Sequence, residues 1–102
     1  MLRGEKLNRK QKVGFLNHLV AMHWLTKRNY YVFHNISVLG PCDLIALNDR
    51  GNTIKIDVKS ESIRKTGTHA GHKIRRMTTK LQKKMGIKLL MVTKEGKCYF
   101  YK

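Results

Sequence analysis

The segment Gly40-Pro41-Cys42-Asp43-Leu44-Ile45-Ala46-Leu47, followed by Thr53-Ile54-Lys55-Ile56-Asp57-Val58-Lys59, constrains this chain more than any other stretch. Both runs are short, apolar and rich in Ile, Leu and Val, and Asn48-Asp49-Arg50-Gly51-Asn52 between them is turn chemistry, so the pair predicts a β-hairpin. Strand side chains alternate faces, which sends Ile54, Ile56 and Val58 to one side, where a core receives them, and Asp57 and Lys59 together to the other. With the hairpin paired in register around its turn, Asp43 comes within reach of Asp57. Two carboxylates at one edge repel unless a proton or a cation lies between them, and hard divalent cations take oxygen ligands from one or two carboxylates. A metal site reconciles the pair. The alternative is an ordinary hairpin in which Asp43 is a turn residue and Asp57 and Lys59 form a solvated ion pair, worth little on a surface.

Charge sharpens the question. The chain carries 22 Lys and Arg against 6 Asp and Glu, a net charge of +16, and two of those six acids, Asp43 and Asp57, fall on this hairpin. Such an excess favours association with polyanions, nucleic acid before anionic membrane. An acid facing phosphate is a liability there unless a metal separates the two. At 102 residues, with 41% apolar residues and a single Pro, residues 1–102 read as one folded domain rather than a disordered basic tail. Cys42 and Cys98 stand far apart with no paired spacing, which fits free thiols in a reducing compartment. The apolar run from Val13 to Leu25 is broken by Asn17, His18 and His23 and is too short to span a membrane, so a cytoplasmic location without a membrane partner is expected.

In chain order, the sequence from about Glu5 to Arg28 predicts a long helix largely buried against a sheet. Val13, Leu16, Leu19, Val20 and Trp24 lie on one broad face, and Phe15, Met22 and Leu25 widen it. Lys6, Arg9, Lys10 and Lys12 crowd its first turns, where the macrodipole disfavours cations; they read either as a phosphate-facing arm or as a solvated terminus. Asn29 closes the helix and Tyr30-Tyr31-Val32-Phe33 predicts a first strand. Beyond the hairpin, Ile63 to Lys84 contains Arg64, Lys65, Lys73, Arg75, Arg76, Lys80, Lys83 and Lys84 and no acid, a phosphate-binding surface by composition. Its centre, Thr66 to His72, reads as a flexible loop; His69 and His72 lack partners at zinc-ligand spacing. Thr78 to Met85 predicts a short helix ended by Gly86. Ile87 to Val92 and Lys97 to Tyr101 predict two closing strands, giving the order αβββαββ.

Pro41-Cys42-Asp43 and Asp57-Val58-Lys59, on adjacent apolar strands, resemble the two halves of the PD-(D/E)xK nuclease motif. The resemblance implies an α/β fold, a restriction-endonuclease-like αβββαβ core in which a mixed central β-sheet is flanked by helices. It implies Mg²⁺ or Mn²⁺ held by Asp43, Asp57 and the Val58 carbonyl, with Asp43, Asp57 and Lys59 as the catalytic set. Families of this kind often carry a Glu on the first helix, where this chain has Asn17 or His18; Glu5 and Glu61 are the remaining acids that could join the shell. In size, basicity and strand order the chain resembles archaeal-type Holliday junction resolvases, which implies hydrolysis of DNA, branched or duplex, by a homodimer. A site-specific or nicking endonuclease of a mobile element is the alternative enzyme, and a non-catalytic nucleic-acid-binding module with the same fold is the alternative outside enzymes. If Arg75 and Arg76 both touch phosphate, replacing them together by Ala will lower the slope of log affinity against log salt by about two. A titration of DNA binding over a range of salt reads that change; an unchanged slope places both side chains in solvent.

Overall fold

The computed structural model describes residues 8–37, 39–61 and 79–101. A five-stranded mixed sheet has the strand order β1-β2-β3-β4-β5, with β1 at Tyr31–His34, β2 at Leu44–Leu47, β3 at Thr53–Ser60, β4 at Lys88–Val92 and β5 at Cys98–Phe100. Helix α1, Arg9–Lys27, precedes the sheet, and the short α2, Lys80–Lys84, lies between β3 and β4. All neighbouring strands are antiparallel except β3 and β4, which run parallel across the crossover that contains α2. The predicted order αβββαββ is the observed one.

The hairpin forms because its turn is internally wired. The Asn48 side chain accepts from the backbone N–H groups of Arg50 and Asn52, at 2.9 and 3.0 Å, and Gly51 supplies the left-handed backbone at φ 84° that the turn requires. The resulting register pairs Leu44 with Ile56 and Leu47 with Thr53. Alternation then sends Leu44, Ala46, Ile56 and Val58 into the core with Leu90 and Val92, all under α1.

Helix α1 departs from its expected packing. It starts at Arg9, not near Glu5, because Asn8 has extended backbone angles and caps the helix by accepting from the Lys10 N–H at 2.8 Å. Its buried stripe is Ala21 and Leu25, with Val20, Met22 and Trp24 partly buried beside them, whereas Val13, Phe15, Leu16 and Leu19 are exposed. The short strands offer an apolar surface only to the later turns, and the small Ala21 lets the helix close onto them. Among the described residues, the apolar side chains of the first turns find no such surface to cover. Asn29, at φ 69°, ends the helix as expected, and Arg28 stacks over the Trp24 ring at 3.8 Å while Trp24 meets Phe100 edge to face. The first strand begins one residue late, at Tyr31, because the Tyr30 N–H is still bonded to the Leu25 carbonyl.

Helix α2 lies against the opposite face of the sheet, in keeping with the resemblance, which implied a sheet flanked by helices. A capping box joins Thr79 and Gln82, Gly86 follows at φ 71°, and Lys55 donates to the Met85 carbonyl at 3.1 Å from the face of β3 that also carries Asp57. Among the described residues no helix is long and apolar enough to cross a membrane. Since Leu25 is wholly buried and Phe15 is more than half exposed, Leu25→Ala will cost about 3 kcal/mol of unfolding free energy, and Phe15→Ala less than about 0.5 kcal/mol. Urea denaturation of the two variants measures the contrast, and a comparable loss at Phe15 would refute the observed packing of the first turns.

Candidate functional site

The hairpin register carries one step further than the ladder: the Asp43 N–H donates to the Ile56 carbonyl at 2.8 Å, which sets Asp43 opposite Asp57. Where backbone pairing ends, the Asp43 side chain replaces it, its Oδ2 accepting from the Val58 N–H at 2.8 Å. The Val58 carbonyl leaves the strand on the same side as that N–H, toward Asp43. The loop before Asp43 is tied by Asn35, whose Nδ2 donates to the carbonyls of Leu39 and Cys42 and whose Oδ1 accepts from the Ser37 N–H. Gly40, at φ 105°, turns the chain back into Pro41-Cys42-Asp43.

Asp57 is 7% exposed and its carboxyl lies within hydrogen-bonding reach of Asp43. Gln82 reaches down from α2 and donates through Nε2 to Asp57 Oδ2 at 2.9 Å and to the Pro41 carbonyl at 2.8 Å, joining the two halves of the motif. The Lys59 Nζ stands 3.6 Å from Asp57 Oδ2, with its side chain about half exposed. An ion pair with so buried a carboxylate is not the solvated surface pair of the bland hairpin reading. Burial, and then the Asp43 carboxyl beside it, push the Asp57 pKa above the ordinary carboxylate value, against the lowering by Gln82 and Lys59.

From the other side, α1 contributes two polar residues. His18 Nδ1 contacts His34 Nε2 at 3.0 Å and its Nε2 lies 3.6 Å from Asp43 Oδ2, while the Asn17 amide donates to the Ser60 hydroxyl. Of the residues considered for completing a metal shell, His18 is therefore beside Asp43, Asn17 is bonded to Ser60, Glu61 accepts from the Tyr99 hydroxyl, and Glu5 lies outside the described residues. Among the described residues no three His, Cys, Asp or Glu side chains converge as a ready metal cage. The donor set fits a hard cation instead: two adjacent carboxylates, one with its ionised form disfavoured, suit an ion that keeps water and takes phosphate oxygens for the rest of its shell.

Lys80, Lys83 and Lys84 are exposed on α2, the helix that supplies Gln82, whereas Arg64, Lys65, Lys73, Arg75 and Arg76 lie outside the described residues. A cleft of about 640 Å³ runs between the start of α1 and the end of β3, lined by Arg9, Lys10, Asn17, Lys59 and Ser60 among others, so the cations at the start of the helix open toward Lys59. Sequence reasoning missed Gln82, although Thr79-x-x-Gln82 is a readable capping box, and it gave no sign that Asn35 ties the loop.

A bacterial homing endonuclease, I-Ssp6803I, has a similar structure, with a TM-score of 0.67 at 17% identity over 92% of this chain and 69% of that one. The fold is restriction-endonuclease-like. No family model matches the sequence, and no curated protein matches it either.

Because Asp57 binds a proton more readily in the fold than in the unfolded chain, its contribution favours folding at low pH. That contribution is lost as pH rises from the ordinary carboxylate range to the raised folded value. At neutral pH without metal, Asp57→Asn will raise the melting midpoint by a few degrees and flatten its fall across that acidic range. Thermal melts of both proteins against pH measure this; a lower midpoint for the variant at neutral pH would show that the carboxylate is stabilised, not strained.

Proposed function

We propose that this chain is a metal-dependent endonuclease that hydrolyses phosphodiester bonds of DNA. The observation that carries the proposal is the meeting of Asp43 and Asp57, with Lys59 beside them, at the edge of a restriction-endonuclease-like sheet. Asp43, Asp57 and the Val58 carbonyl would hold Mg²⁺ or Mn²⁺. The bound ion supplies Lewis acidity toward a phosphate oxygen and makes a coordinated water more acidic. The chain's own groups do the rest. Gln82 fixes one oxygen of Asp57, leaving the other for the cation. Lys59 presents its ammonium beside the carboxylates, where it orients an attacking water or offsets charge developing on the phosphate. Arg9, Lys10, Lys80, Lys83 and Lys84, together with Arg64, Lys65, Lys73, Arg75 and Arg76, bind the backbone of the nucleic acid rather than its base edges.

The likeness to a homing endonuclease supports cleavage of duplex DNA at a defined sequence, the action of a mobile-element enzyme, over resolution of four-way junctions. The junction reading keeps its basis in size and basicity. Both predict two cuts on opposing strands by a homodimer, and they differ in what fixes the cut.

Asp57→Ala will abolish cleavage in Mg²⁺ and leave DNA binding equal or tighter, since it removes both a ligand and a charge that repels phosphate. Mg²⁺ will raise the melting midpoint of the native protein and not of the variant. Cleavage retained by a folded Asp57→Ala protein refutes the site, and absence of metal-dependent cleavage by the native protein leaves a binding module. Mapping strand ends on duplex and junction substrates of one sequence separates the enzymes: cuts fixed by sequence support the site-specific reading, and cuts that track the branch support resolution.

A further inference from the structure

None of the 22 Lys and Arg residues falls between Asn29 and Asp49. That stretch contains β1, the loop after it and β2, and it holds the two most exposed large apolar side chains of the described residues, Ile36 and Leu39. Ile36 is 90% exposed, Leu39 76%, Tyr31 57% and Phe33 56%, with Ile45 next to Phe33 in the register of β1 on β2. Tyr31, Phe33 and Ile45 share the face of the sheet opposite α1, and α2 covers only the β3 side of that face. β1 is also an edge strand, with one side of its backbone unpaired by the sheet.

We propose that this face is the contact between two copies of the chain. Three observations select a second copy as occupant. The first is charge: a molecule of net charge +16 repels its own kind everywhere that its cations are spread, and this is the stretch from which they are missing. The same lack makes it a poor seat for DNA, whose affinity comes from phosphate neutralisation. The second is shape. An apolar hollow of about 270 Å³, lined by Phe33, Leu39, Pro41 and Ile45 among others, lies beside the protruding Ile36, so knob and recess occupy one surface. A two-fold contact needs that arrangement, because each copy must offer both parts to the other. The third is area. At about 200 Å² for a large side chain, the five residues expose about 600 Å², most of the roughly 800 Å² that each partner gives to a stable interface.

The contact would adjoin the catalytic edge, since Asp43 also borders the hollow. Two such edges held about a two-fold axis match the symmetry of two antiparallel strands, and this part of the argument rests on the proposed endonuclease activity. The interface itself can be tested without DNA or metal. Sedimentation equilibrium of the native protein at micromolar concentration will give twice the 11.9 kDa chain mass. Phe33→Glu and Ile36→Glu will each weaken the dimer by at least about tenfold. Ile36 is so exposed that its variant keeps the native fold, which its circular dichroism and melting midpoint verify. A single-chain mass at every concentration overturns the proposal, as does a dimer that both variants leave intact. Variants that weaken DNA binding without changing the mass also overturn it, and assign the face to DNA. Failure here would leave metal-dependent nicking untouched, whereas a dimer lost in the variants but without nuclease activity would keep the interface and remove the enzyme.

Discussion

Asp43 and Asp57 are held together at a cost, and much of the surrounding structure serves to hold them. Burial and mutual proximity both disfavour two ionised carboxylates. The fold opposes that with directed donors: the Val58 N–H on Asp43, the Gln82 amide on Asp57, and the Lys59 ammonium alongside. Each donor depends on a different level of structure. The Val58 bond follows from hairpin register, the Lys59 pair from the two-residue repeat of a strand, and the Gln82 bond from the crossover that brings α2 back over β3. A slip of one residue in the hairpin would turn Asp57 into the core and Ile56 toward α2, so the apolar pattern that fixes the core also fixes the site.

Charge is partitioned as sharply as hydrophobicity. Cations occupy the start of α1 and the surface of α2, on either side of the carboxylate edge, while β1, the loop after it and β2 carry no Lys or Arg. Phosphate would therefore be drawn from two sides toward the edge that carries Asp43 and Asp57. Under the proposed function that arrangement gives acids a place in so basic a protein: the carboxylates would hold a cation, and the Lys and Arg side chains would hold the phosphate.

The site also departs from the pattern its motif resembles. Where the first helix would offer an anionic ligand, it offers Asn17 and His18, one bonded to Ser60 and the other stacked edge to face on His34 and close to Asp43. Neither side chain is an anion, so the negative charge of the site rests on Asp43 and Asp57. Asp57 is held instead from the opposite layer, by the Gln82 amide.

The hairpin, the order of the elements, the stops of both helices at Asn29 and Gly86 and the nearness of Asp43 to Asp57 were legible in the sequence because each is set locally. Alternation, a turn such as Asn48-Asp49-Arg50-Gly51-Asn52 and a left-handed Asn29 act over a few residues. The buried face of α1 was not legible: its apolar residues spread around the helix, and which of them are covered depends on where short strands end beneath it, so Ala21 and Leu25 are buried while Phe15 and Leu16 are not. Nor could sequence bring Gln82 to Asp57 and Pro41, or His18 to His34, since these contacts join residues far apart in the chain. Local chemistry determined the strands and the pair of acids. Only the packing of two helices on opposite faces of the sheet decided which side chains surround that pair.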